Sequence, residues 1–157
     1  MLPGGPKVDN AGHSVAVLSI EPIHGDQDAL TEIFVRSDWS LIPNSKWTLT
    51  RSTSPASAIQ TILGNTVPFL VCGCDDHPDM WKELLAALSG VLAPPALIVT
   101  SRTADERLWA EALNCGAYDV LAKPFDHAEV VRTLCSAWLH WRAREPQRIT
   151  ARLRAVS

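Results

Sequence analysis

At 157 residues, with 46% apolar and 20% charged side chains, the chain is long enough for one hydrophobic core and too apolar for a disordered tail. No apolar run approaches the roughly 20 residues of a membrane helix, and the opening MLPGGPKVDNAGH lacks the basic-then-apolar order of a secretion signal, so a cytoplasmic protein is expected. The net charge of -3 conceals an asymmetry: residues 1–125 are acidic on balance, whereas residues 126–157 carry six arginines against three acids, without a motif that would make nucleic acid an expected partner.

Residues 1–12, rich in Gly and Pro, read as a leader before a domain over 13–145, and residues 146–157 as a basic tail. Ser14 to Leu18 is a short apolar strand, followed by Leu30, Ile33 and Phe34 at helical spacing between Gly25 and Asp38. Trp47 to Thr50 is a weaker strand. Ser54-Pro55 then sets a capping residue before a proline at the first helical position, with Ala58, Ile59, Ile62 and Leu63 as the apolar stripe and Gly64-Asn65 as the stop. Pro68 to Cys72 is wholly apolar, as a central strand of a parallel sheet would be. Pro78 and Asp79 open a helix through Leu84, Leu85 and Leu88.

From Ala96 to Phe125 the pattern is strand, helix, strand. Ala96 to Val99 is apolar and β-branched, and Thr100 and Ser101 end it. Thr103, three residues before Glu106, predicts a reciprocal helix cap; Gly116 predicts the left-handed residue that closes the helix. Tyr118 to Ala122 is the next strand, leading into Lys123-Pro124-Phe125. Asp126 and Glu129 repeat the cap spacing before a last helix in which Val131, Leu134 and Trp138 share one face and Val130, Ala137 and Trp141 a neighbouring one. Five strands alternating with five helices predict a doubly wound three-layer α/β domain, with Thr100 and Lys123 at the carboxyl ends of strands, where such sheets bind ligands.

Thr100, the pair Gly116-Ala117 and the loop Lys123-Pro124-Phe125 match, in kind, order and spacing, the last third of a bacterial response-regulator receiver domain, and over about residues 14–142 the chain resembles that CheY-like family. The resemblance implies a flavodoxin-like (βα)5 fold with sheet order 2-1-3-4-5. It also implies a site where an Asp at the end of the third strand accepts a phosphoryl group, beside two acidic residues after the first strand that hold Mg²⁺. A hard cation needs oxygen ligands, and the transferred group needs the cation, the Lys and the Thr hydroxyl against its developing charge.

The matching positions here hold Ser19 and Ile20 in place of the acidic pair, with Glu21 just beyond, and Cys74 in place of the acceptor, taking Pro78 as the loop proline. Ser19, Ile20, Glu21, Cys74, Thr100 and Lys123 therefore form a vestigial pocket, with no catalytic residue, metal or cofactor expected. Lys123 is expected to pair with Glu21 or Asp75. The resulting expectation is an atypical receiver, not an enzyme, that signals by being bound. Two alternatives stand beside it: an active Mg²⁺-dependent receiver using Asp75 or Asp76, and a thiol redox or metal sensor centred on Cys74, with Cys72 and His77 nearby.

The four cysteines otherwise read as small buried hydrophobes. Six tryptophans against one tyrosine point to an interface as well as a core. Trp109, with Trp138 and Trp141, is the candidate contact surface, on the face of the fourth helix, fifth strand and fifth helix that receivers commonly use toward a signalling partner or a second copy.

Overall fold

The computed structural model describes residues 12–144, 150, 153 and 154. Most of the expected leader and basic tail lies outside the described residues. The elements alternate strictly: β1 (His13–Ile20), α1 (His24–Arg36), β2 (Ser45–Arg51), α2 (Pro55–Gly64), β3 (Phe69–Gly73), α3 (Met80–Leu88), β4 (Ala96–Ser101), α4 (Glu106–Cys115), β5 (Asp119–Ala122) and α5 (His127–Ala143). All four strand pairings are parallel, and the sheet order is β2-β1-β3-β4-β5. The doubly wound fold and the order 2-1-3-4-5 are as the sequence predicts.

Two apolar layers sandwich the sheet. On one face Val15, Val17, Phe69, Val71, Ile98 and Leu121 meet Leu30, Ile33 and Phe34 of α1 and Val130, Leu134, Ala137, Trp138 and Trp141 of α5. On the other, Leu18, Ile20, Leu70, Cys72, Cys74, Leu97, Val99 and Val120 meet residues of α2, α3 and α4, among them Ala58, Ile62, Trp81, Leu84 and Ala112. The split follows the two-residue period of each strand.

Local chemistry sets the helix ends. Ser54 accepts a hydrogen bond from the Ser57 amide, and Asp126 accepts one from the Glu129 amide, as their positions predict. Gly116 closes α4 with φ of 110°, a conformation a Cβ would strain. The start of α4 departs from expectation. Asp105, not Thr103, caps it, accepting from the Leu108 amide at 2.8 Å, so the helix begins two residues later than the Thr103–Glu106 spacing predicts. Thr103 is already engaged with the Ser101 hydroxyl, through both its own hydroxyl and its amide.

The tryptophans fill a core more than a surface. Trp39 stacks on Trp47 with ring centroids 4.5 Å apart, Trp47 stacks on Phe69 at 5.9 Å, and Trp138 meets both Trp47 and Phe69 edge-on. Offset stacks and edge contacts of this kind add to the area each ring buries. Trp138 and Trp141 are only 8% and 9% exposed, whereas Trp109 is 51% exposed. The expected surface trio is corrected accordingly: Trp109 is on the surface, and the α5 pair packs inward because positions 130, 131, 134, 137, 138 and 141 all fall on the stripe facing the sheet.

Candidate functional site: a charge cluster at the carboxyl rim of the sheet

The alternation that puts Val15, Val17, Phe69, Val71, Ile98 and Leu121 on the α1/α5 face brings Ser19, Gly73, Thr100 and Lys123 to that face at the carboxyl ends of four adjacent strands. Glu21, just past β1, joins them. Its carboxylate is buried, accepting from the Thr100 hydroxyl on one oxygen and from the Lys123 ammonium on the other at 2.8 Å. Lys123 donates two further bonds, to Asp26 and to Asp75, each at 2.9 Å. All three donors of the ammonium are thus taken by carboxylates, two from the stretch running from the end of β1 into α1 and one from the loop after β3.

A second cation closes the cluster. Arg102, directly after β4, makes a two-pronged contact with Asp26 at 2.6 and 2.9 Å and reaches Asp75 at 3.2 Å, while its backbone amide donates to the other Asp75 oxygen at 2.9 Å. The planar guanidinium suits this fork as an ammonium would not. Ser19 is kept out of the charge network by a 2.8 Å bond to Gln27 in α1. Ser37 carries the one buried side-chain oxygen without a partner among the described residues, and it lies elsewhere.

The electrostatics follow from burial and pairing. Burial pushes the Glu21 carboxyl above its ordinary value, against the pull of Lys123 and Thr100. Burial also works against ionisation of Asp26 and Asp75, but their contacts with Arg102 and Lys123 outweigh it and hold both below the usual carboxylate range. For Lys123, burial favours the neutral amine, yet the surrounding carboxylates prevail and raise its value.

Of the sequence-derived pocket, Ser19, Glu21, Thr100 and Lys123 come together. Ile20 and Cys74 do not. Both point to the opposite face and pack in the α2/α3/α4 layer. The Cys74 sulfur lies 3.5 Å from the Thr100 carbonyl, away from the carboxylates, and Gly73 is the residue of β3 that faces the cluster. This corrects the placement made from the Pro78 spacing. Because β3 is buried along its whole length, its apolar sequence cannot say which residue takes which face. Burial raises both the Cys72 and the Cys74 thiols, which disfavours the thiolate a redox centre needs. Asp75 is in the cluster, whereas Asp76 is exposed and makes none of its contacts. Asp26, Gly73 and Arg102 are absent from the sequence-derived set. Asp26 reads as an ordinary first-turn acid of α1, and Arg102 as a loop charge.

A divalent cation does not fit the pocket as built. The carboxylates that converge do so on the Lys123 nitrogen, and the metal would have to expel it; among the described residues no group of three or more His, Cys, Asp or Glu side chains is arranged to hold a metal ion.

No protein-family model matches the chain, and no curated protein matches it. Solved structures do. The signal receiver domain of an HD domain-containing protein from Pseudomonas fluorescens Pf-5 superposes with a TM-score of 0.67 at 20% identity, covering 83% of this chain and 99% of that one. A Francisella response-regulator receiver domain gives 0.62 at 18% identity, over 83% and 99%. A CheY-like receiver domain protein from Methanospirillum hungatei JF-1 gives 0.64 at 14%, over 83% and 98%. The fold of this chain is that of receiver domains, across nearly their full length.

Proposed function

We propose that this chain is an atypical receiver domain of bacterial signal transduction, acting in the cytoplasm by contact with a signalling protein or a second copy, without phosphorylation of an aspartate. The observation that supports it is the saturated Lys123: the cation that would meet an incoming phosphoryl group already holds Glu21, Asp26 and Asp75, and the residue of β3 facing it is Gly73, which has no side chain. Fold likeness to receiver domains supports the family reading, and the exposed Trp109 on α4 supports the α4-β5-α5 face as the contact surface.

One observation favours a second reading. Asp75 is within bonding distance of Lys123, as a phosphoacceptor would be. Both of its oxygens are nevertheless engaged, one by the Arg102 amide and the other by Lys123 and the Arg102 side chain. Incubation with Mg²⁺ and acetyl phosphate, followed by intact mass, separates the two. The expected result is no stable gain of one phosphoryl group; a gain that disappears in Asp75→Asn would establish the active reading instead.

A further inference from the structure

A glycine inside a buried strand marks a close approach, and at Gly73 the approaching group is a carboxylate. A Cβ built on Gly73 would lie 2.1 Å from Glu21 Oε2 and 2.8 Å from its carboxyl carbon. The Gly73 backbone is not left-handed, so the requirement is one of space alone. A side chain at position 73 and Glu21 in its present place exclude each other.

The surroundings are built for an anion of this size. The floor is the bare backbone of Gly73 at the end of β3. One wall is the Thr100 hydroxyl at the end of β4, and the other is the Lys123 ammonium just past β5. Each carboxylate oxygen has one of the two donors, and Thr100 and Lys123 are themselves buried. Take the carboxylate away and a hydroxyl and one arm of an ammonium lose a partner inside the protein, which is costly.

We infer that Glu21 is an internal ligand: from just past β1 it fills a small-carboxylate site formed by Gly73, Thr100 and Lys123, and thereby holds the chain after β4 and β5 in one arrangement without any external ligand. The site is thus a real anion site whose occupant is covalently supplied. Its occupant is interchangeable in principle with a carboxylate reaching up from position 73 or with a free small carboxylate. The inference concerns occupancy of the cavity by the unmodified chain, so it stands or falls separately from the acetyl phosphate result.

The test is chemical rescue. Glu21→Ala should lower Tm and speed amide exchange over residues 100–105. Sodium acetate, compared with sodium chloride at equal ionic strength, should recover most of the lost Tm saturably in Glu21→Ala and leave the unsubstituted protein unchanged. Gly73→Asp should destabilise on its own, yet restore Glu21→Ala when the two are combined. Should Glu21→Ala not fold, the combined variant carries the test, since it is expected to fold. An acetate effect equal in Glu21→Ala and the unsubstituted protein, or losses from Glu21→Ala and Gly73→Asp that simply add, would overturn the inference, as would a combined variant no better than Glu21→Ala.

Discussion

On the α1/α5 side of the sheet, the carboxyl rim carries Glu21, Asp26, Asp75, Arg102 and Lys123, while toward the amino ends of the strands the same face carries Trp39, Trp47, Phe69 and Trp138. Both groups gather residues from distant parts of the chain. The rings are held by area and shape, and each would bury well beside almost any apolar neighbour. The charges are conditional: each is tolerated at the rim because the others are present. One region should therefore lose stability by degrees and independently of solution conditions, and the other abruptly and in a pH-dependent way.

The largest expected effect is at Lys123. Lys123→Met leaves Glu21, Asp26 and Asp75 with Arg102 as their remaining cation in the cluster, and should cost about 3–5 kcal/mol in urea unfolding at neutral pH, the range for breaking a buried ion pair from one side. The penalty should narrow in acid. Asp26 and Asp75, held below the usual range in the fold, contribute stability above about pH 4 that is lost as pH falls through their folded values. Glu21, raised by burial, opposes them, being better tolerated when protonated. Lys123, raised in the fold, contributes fully below about pH 10 and loses that contribution only as pH rises through its folded value. An equal penalty at acid and neutral pH would erase the contrast between the two regions.

Trp138→Ala is the matching cut in the aromatic layer. It removes a buried ring that touches Trp47 and Phe69, and should cost about 3 kcal/mol, with the same value at both pH conditions when measured by the same unfolding curves. A pH-dependent loss there would show that the layer is coupled to the rim. The smallest effect belongs to Trp109, whose ring is half exposed and donates a 3.4 Å bond to Asp119. Trp109→Ala should change stability by no more than about 0.5 kcal/mol and weaken self-association or partner capture instead. A stability loss approaching that of Trp138→Ala would make Trp109 part of the core.

The contrast also explains what the sequence made legible. Apolar periodicity located all ten elements, because burial of one stripe or one face is what periodicity records. It put Val131, Leu134 and Trp138 on one face of α5 and Val130, Ala137 and Trp141 on a neighbouring one, and all six are buried. It had no purchase on β3, where both faces are buried and Gly73 and Cys74 could each have faced the rim. Nor could it find Asp26 or Arg102, since a first-turn acid and a loop arginine look the same in sequence whether solvated or clamped together at 2.6 Å. Residues joined by charge from the carboxyl ends of four strands leave no repeat to read. Gly73 left one signal, a glycine in a strand, whose meaning depended on a carboxylate arriving from just past a different strand.

The reach of Lys123 has a consequence for the order in which the molecule can be completed during synthesis. Its bonds to Glu21, Asp26 and Asp75 span 102, 97 and 48 residues of chain. A ribosome that has released the chain as far as α3 has released all three acids and neither cation. The rim of that nascent intermediate is negatively charged and favours staying hydrated, even where the apolar layers have begun to pack. Arg102 supplies the first neutralising charge as β4 emerges, and the ammonium arrives with the strand that takes the outer edge of the sheet. Closure of the rim is therefore deferred until the last strand of the sheet is in place, whatever part of the apolar layers has packed before it.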